Sequence, residues 1–274
     1  LHLSDDQGWR IQINRWPNLT NYGGSSQIGA VGGAYFYTQA DYSSIVQYAS
    51  SHFIDIIPEI DFPGHSKAAL ASYPELSCTG KLIELSTSSI SDASSLCISK
   101  ESTYTFLDNV IAELSSLTPG PYLHIGGDEA TSTTQADYNI FLNKVQHIAS
   151  TYHKQLIGWQ DIATANLSPA AVLQHWNWNR RSLTINALQQ GTLVIMSPVS
   201  LGQRYPGYVS IKTSYQWDPV LQLQNATENN ILGVEAPLWT EIVATQADLD
   251  RMTFPWLISY AEIGWSARKG KDLD

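Results

Sequence analysis

Tyr122-Leu-His-Ile-Gly-Gly-Asp-Glu-Ala130 drives an apolar run into two glycines and then sets two carboxylates side by side. Leu123 and Ile125 supply the alternating apolar signal of a strand. Gly126 and Gly127 admit backbone angles and close approaches that a side chain would forbid. An isolated Asp-Glu pair most often marks a solvated loop or a helix start. Placed after His-Ile-Gly-Gly, Asp128 and Glu129 instead have the layout of a catalytic strand end.

Comparable runs recur at residues 1–3, 53–60, 156–159, 171–176, 193–196 and 231–239. Helical patterns lie between them at 41–50, 104–117, 135–150, 182–190 and around 248–263. Such alternation implies parallel strands joined by crossover helices. The runs end in acids, His or Trp: Asp5-Asp6, Glu59 and Asp61 with His65, Asp128-Glu129, Trp159 and Asp161, His175-Trp176, and Trp239 with Glu241. A barrel brings such ends onto one face, whereas an open sheet scatters several of them. The expected fold is therefore α/β, a TIM (β/α)8 barrel forming a single catalytic domain over residues 1–274. The runs number one fewer than a closed eight-stranded barrel requires. Either a first strand precedes Leu1 or the barrel is incomplete. No repeat, linker or low-complexity tract marks a second domain, and the Ser-rich stretch at 86–95 is short.

A net charge of −10 and the lack of a Lys/Arg cluster argue against a nucleic-acid partner. No apolar run is long enough to span a bilayer, and the opening residues have the character of a domain interior rather than a leader. Nine Trp and fourteen Tyr stand against six Phe. Flat apolar faces with polar handles suit sugars, although large aromatics more often fill a core. Cys78 and Cys97 lie 19 positions apart in a Ser/Thr-rich region and, if oxidised, would close a modest loop. With the possible glycan acceptors Asn18-Leu-Thr and Asn225-Ala-Thr, they favour a secreted or extracytoplasmic protein.

Five stretches, in order along the chain, resemble signatures of glycoside hydrolase family 20, the β-N-acetylhexosaminidases. They are Leu3-Ser-Asp-Asp-Gln-Gly-Trp-Arg10, Pro58-Glu-Ile-Asp-Phe-Pro-Gly-His65, His124-Ile-Gly-Gly-Asp-Glu129, Gly158-Trp-Gln-Asp161 and Gly233-Val-Glu-Ala-Pro-Leu-Trp-Thr-Glu241. The resemblance implies an exo-acting barrel enzyme that removes terminal β-linked GlcNAc or GalNAc by substrate-assisted retention, without metal or organic cofactor. It implies that Glu129 is the general acid and base and that Asp128 holds the acetamido N–H. His65 would pair with Asp5 and tune the acid. Trp159, Trp176 and Trp239 would wall the sugar, and Glu241 would read its hydroxyls. Arg10 fits either a motif or a structural role, and Trp178 lies close enough to Trp176 to compete for its assignment. The partners implied are β-N-acetylhexosaminide oligosaccharides or glycoconjugates; oligomeric state is not legible.

The chain departs from the family pattern in two places. No Arg-bearing first strand stands before Leu1. The Tyr-Leu-Asp run expected after Met196-Ser-Pro198 is replaced by Val199-Ser-Leu-Gly-Gln-Arg-Tyr205. Tyr205 is the candidate for part of that role, though it better matches an aromatic further along the family loop. Two rival functions follow: a glycan-binding barrel of weakened activity, and a metal-dependent deacetylase built on Asp61, His65, His124 and Asp128.

Overall fold

The structure, a computed structural model, describes residues 1–25, 35–88, 93–197, 210–240 and 243–267. They form two compact units, Leu1–Ala171 and Val172–Asp274. In the first unit, β1 (Ser4–Asp5) and β2 (Gly8–Trp9) form a tight antiparallel hairpin. The helices α1 (Asn18–Asn21), α2 (Gln39–Ser50), α3 (Lys67–Ser72) and α4 (Glu101–Leu117) precede β3 (Tyr122–His124). After it come α5 (Gln135–Thr151) and β4 (Gln155–Trp159).

A parallel ladder organises this unit. Residues 1–3 run beside 58–62, with the Leu3 amide donating to the Glu59 carbonyl at 2.9 Å and the Glu59 amide to the Leu1 carbonyl at 2.8 Å. The same segment pairs with β3 on its other side, through His124 N to Pro58 O and Ile60 N to His124 O, both 3.0 Å. Next to β3 lies β4, parallel, with His124 opposite Ile157. Helices α4 and α5 cover part of the unit with apolar stripes at helical spacing, Phe106, Leu107, Val110, Ile111 and Leu114 on one and Tyr138, Phe141, Leu142 and Val145 on the other. Trp9, Phe62 and Phe106 pack with ring centroids 5.7–6.1 Å apart, and Trp16 meets Phe106 edge-on at 5.1 Å.

The second unit holds β5 (Val172–His175), α6 (Arg181–Gln189), β6 (Leu193–Met196), α7 (Ile211–Gln216), β7 (Ile231–Val234), α8 (Gln246–Thr253) and α9 (Trp256–Trp265). Its strands are parallel in the order β5, β6, β7, with an irregularity between Val194 and Ile195.

One tetrapeptide starts three of these helices. Thr-Gln-Ala-Asp occurs at 38–41, 134–137 and 245–248. In each copy the Thr hydroxyl accepts the Asp amide N–H, at 3.1, 3.2 and 3.2 Å, which satisfies one of the donors a helix start leaves open. The far ends of α2, α5 and α6 also share a device. The amides of Ile54, Lys154 and Thr192 reach back to the carbonyls of Ala49, Ala149 and Ala187 across left-handed residues Phe53, His153 and Gly191.

Two expectations need correction. The run at 53–60 is not a strand throughout: Phe53 is fully exposed and caps α2 with φ of 60°, and pairing with residues 1–3 starts at the Ile57 carbonyl. The helix expected around 248–263 is two helices, α8 and α9, divided at Phe254-Pro255, because proline offers no N–H to continue the first.

Cys78 and Cys97 are joined in a disulfide. Closing that loop of 19 residues restricts the unfolded chain. The paired substitution Cys78→Ser/Cys97→Ser is expected to lower the unfolding free energy by about 3 kcal/mol in a denaturant titration. Reducing agent should do the same to the wild type and nothing to the variant.

Candidate active site

The ladder places the chemistry by register. His2 lies opposite Glu59, and Glu59 opposite His124. Side chains alternate along a strand, so Asp61 faces the same way as Glu59. There it meets a backbone without side chains. A Cβ on Gly126 would lie 1.8 Å from Asp61 Oδ1, and Gly126 and Gly127 have φ of 63° and 93°. The Gly127 amide donates to Asp61 Oδ1 at 3.0 Å. This turn projects Asp128 and then Glu129, whose own φ of 48° is a strained value for a residue with a side chain.

His65 (φ 46°) stands between the hairpin and the acid pair. Its Nδ1 is 3.1 Å from Asp5 Oδ1, while Nε2 is 3.5 Å from Asp128 Oδ2 and 3.6 Å from Glu129 Oε2. Burial works against an imidazolium here, but the carboxyl groups of Asp61, Asp128 and Asp5 outweigh it and hold His65 well above the usual histidine range. The sequence motifs suggested the Asp5–His65 pairing, and the structure brings these residues together with Asp128 and Glu129. Glu129 is half exposed; Asp128 is mostly buried. Asp128 Oδ1 is buried and accepts no hydrogen bond from the described residues.

Three participants have no role in the hexosaminidase reading of the sequence: Glu59 and Asp61, expected there only as strand-end acids and, for Asp61, as a ligand of the rival metal site, and His2, which the motifs do not mark. Asp61 is pushed well above the usual carboxylate range by burial and by the charge of Asp128 beside it. Glu59 is depressed: burial opposes its charge, but His124 and His2 prevail. His2 bridges the two acids, with Nδ1 3.1 Å from Glu59 Oε2 and Nε2 3.3 Å from Asp5 Oδ2. Burial pulls His2 down; Glu59 and Asp5 carry it well above its ordinary value. Asp5 is depressed in turn, burial being outweighed by His2 and His65. The two-residue spacing of Glu59 and Asp61 was a legible sign that they share a face.

Trp159 is buried at the end of β4; its indole N–H donates to Glu59 Oε1 at 3.1 Å and its ring meets His124 edge-on at 5.3 Å. Arg10 donates to the carbonyls of Gly24, Tyr35 and Gln7, which fixes a loop. In the second unit Trp176 and Trp239 are partly buried beyond β5 and β7. Trp178 is exposed, with Arg181 stacked 5.4 Å from its ring. His175 is buried, contacts the Thr184 hydroxyl at 2.9 Å and is pulled down to about 4 by burial. Glu241 and Tyr205 lie outside the described residues.

One atom each from Asp61, His65 and Asp128 lies within 4.8 Å of the others, a spacing that could hold a metal ion. An ion there would first have to displace the proton that the surrounding carboxyl groups favour on His65. His124, the fourth ligand of the deacetylase reading, belongs to the Glu59 cluster instead, its Nδ1 3.3 Å from Glu59 Oε1.

Residues 1–268 match the family described as glycosyl hydrolase family 20, catalytic domain. A beta-N-acetylhexosaminidase of Cellulomonas fimi is 32% identical over 288 residues, covering 100% of this chain and 58% of that protein. The N-acetyl-beta-hexosaminidase of Streptomyces plicatus, solved with Thio-NAglucal, is 45% identical with a TM-score of 0.95, covering 99% of this chain and 58% of that one. A mutant of the same enzyme, solved with product GlcNAc, matches at 44% and 0.95 over the same shares. The chain thus spans a little over half the length of these relatives. The matching structures are TIM barrels, and that is the fold class of this chain.

Two outcomes follow from the site geometry. Gly126→Ala should abolish activity or folding, since no carboxyl can occupy the space of the added methyl; circular dichroism and an activity assay will separate the two. The depressed folded values of Asp5 and Glu59 mean that their contribution to stability is present above about pH 4 and is lost as pH falls through those values. Denaturant midpoints measured from pH 7 to pH 3 should therefore drop below about pH 4, and Asp5→Asn should be less stable at pH 7 with a flatter acid limb.

Proposed function

The chain belongs to glycosyl hydrolase family 20, and from that premise we propose that it is an exo-acting, retaining β-N-acetylhexosaminidase for terminal β-linked GlcNAc or GalNAc. The observation that carries this reading is the environment of Asp128. A carboxylate with one buried oxygen that accepts from no donor among the described residues suits an incoming amide N–H.

The two neighbouring acids do not face each other as acid and protein nucleophile across one anomeric carbon. Their carboxylates both approach His65 Nε2, at 3.5 and 3.6 Å, and only Glu129 is half exposed. Substrate assistance, the family's exception to the two-carboxylate scheme, removes that requirement. The 2-acetamido carbonyl oxygen attacks the anomeric carbon while Glu129 gives its proton to the departing glycosidic oxygen. An oxazolinium ion results, and Asp128 holds its N–H and stabilises the positive charge. Glu129, now a carboxylate, takes a proton from the water that attacks the anomeric carbon. The ring opens, configuration is retained and both residues return to their starting forms. Restraining the acetamido group in attack geometry contributes as effective molarity. Trp159, Trp176, Trp239, Glu241 and Tyr205 are the proposed sugar contacts.

The natural setting proposed is extracytoplasmic breakdown of GlcNAc-bearing glycans, chitin fragments among them. The disulfide supports an oxidising compartment, and the acceptor positions Asn18 and Asn225 are both exposed. No described helix is long and apolar enough to cross a membrane.

The test uses aryl N-acetyl-β-glucosaminides of graded leaving-group ability. Glu129→Gln should lower kcat by about 10²–10⁴-fold for poor leaving groups and much less for activated ones. Asp128→Asn should lower kcat/KM by about 10²–10³-fold for all of them. Equal cleavage of glucosides that lack the acetamido group would refute the mechanism.

A further inference from the structure

We infer that Glu59 is a positioning residue that fixes the Trp159 indole and, through His2, ties the orientation of that sugar-facing wall to the Asp5–His65 pair. The inference rests on the hexosaminidase reading only in taking Trp159 as part of the sugar pocket; the contacts themselves stand without it.

A largely buried carboxylate is retained at a cost unless its lone pairs are filled. Glu59 accepts the Trp159 indole N–H from β4 and lies beside a ring nitrogen of His2 and of His124 from the segments on either side, His124 Nδ1 itself accepting the Gly126 amide at 3.0 Å. Trp159 Nε1 lies 3.1 Å from Oε1, His124 Nδ1 3.3 Å from the same oxygen and His2 Nδ1 3.1 Å from Oε2. The ladder register presents His2 and His124 on either side, so the carboxylate has little room to turn. The Trp159 backbone is held as well, its amide donating at 2.8 Å to the Gly126 carbonyl in the turn that launches Asp128 and Glu129. With main chain and indole nitrogen both anchored, the ring plane is set. His2 adds the link to chemistry, because its other nitrogen lies 3.3 Å from Asp5 Oδ2, and Asp5 holds His65. Indole, Glu59, His2, Asp5 and His65 thus form one continuous series of polar contacts. A carboxylate serving only to join three strands would not require the indole nitrogen of a pocket residue among its donors.

The experiment is a substitution cycle read in two ways. Glu59→Gln keeps the volume and an acceptor oxygen but removes the charge that holds His2; Glu59→Ala removes both; Trp159→Phe removes the indole donor. Steady-state kinetics with a chromogenic N-acetyl-β-glucosaminide should show KM rising about tenfold in Glu59→Ala with a smaller change in kcat, as expected when binding geometry is lost. The Glu59→Gln/Trp159→Phe double variant should cost less than the two single changes added together, because both act on the one charge-assisted bond between carboxylate and indole. The second reading is the emission of Trp159, isolated as the difference between each protein and its Trp159→Phe counterpart. It should shift in Glu59→Gln whatever the chain cleaves.

Strict additivity in the cycle, or an unshifted Trp159 emission in Glu59→Gln, overturns the inference even if the variants lose thermal stability. A wild type that cleaves no N-acetylhexosaminide while the emission still shifts would defeat the functional reading and leave the positioning role in place. Should Glu59→Ala fail to fold, the Gln and Phe variants carry both measurements.

Discussion

The approach of the Asp61 carboxyl to the backbone of Gly126 and Gly127 sets the terms for everything around it. Space for the carboxyl group exists because Gly126 carries no Cβ, the acid itself occupying that position, while a Cβ on Gly127 would meet Ile162 and the Tyr138 hydroxyl. Wedged there and buried, Asp61 takes the Gly127 N–H and is pushed up by burial and by the charge of Asp128. The turn that accommodates the wedge is the one that aims Asp128 and Glu129. One steric fact thus fixes the direction of the acids.

The strain this requires is concentrated in a few residues. His65 and Glu129 both adopt left-handed backbone angles that non-glycine residues avoid, at a cost on the order of 1–3 kcal/mol each. Trp9, Phe62 and Phe106 pack on one another in the same unit, Phe62 being the residue that follows Asp61. Buried aromatic surface near the site offsets strain within it, and this explains why Trp9, despite its place in a motif, is almost fully buried. For that Trp the ordinary core explanation of a tryptophan-rich composition prevails over the sugar-binding one.

Much of the scaffold was legible because its signals are local. Helices α2, α4, α5 and α6 fall within a few residues of their apolar periodicities, and the run entering Gly126-Gly127 is a strand in register with its neighbour. Errors arose where an apolar residue serves a helix end or an exposed turn, as Phe53 does, and where a single proline divides one periodic stretch into α8 and α9. In the site, Asp128 and Glu129 were evident from their own segment, and Asp5 and His65 from motif resemblance. The roles of His2, Glu59 and Asp61 were not, because the property that unites them is register across strands. Period-two alternation shows that Glu59 and Asp61 share a face. It cannot show that His2 and His124 flank Glu59, since a shift by one residue would turn either imidazole to the opposite side.

The order of charge along this row gives it a direction. Glu59, His2, Asp5 and His65 alternate in sign, and each is held in its charged form by the neighbours on either side against the cost of burial. Groups locked in this way stabilise a fixed pattern of protonation and are poor at exchanging protons. The row ends at two acids of different exposure: Asp128, mostly buried against Asp61, and Glu129, half open to solvent. A residue that must release a proton to a leaving group and later take one from water needs that access, while an anion that steadies a cationic ring needs shelter from it. Exposure along this one turn therefore divides acid–base work from charge stabilisation between adjacent residues of the same chemical type.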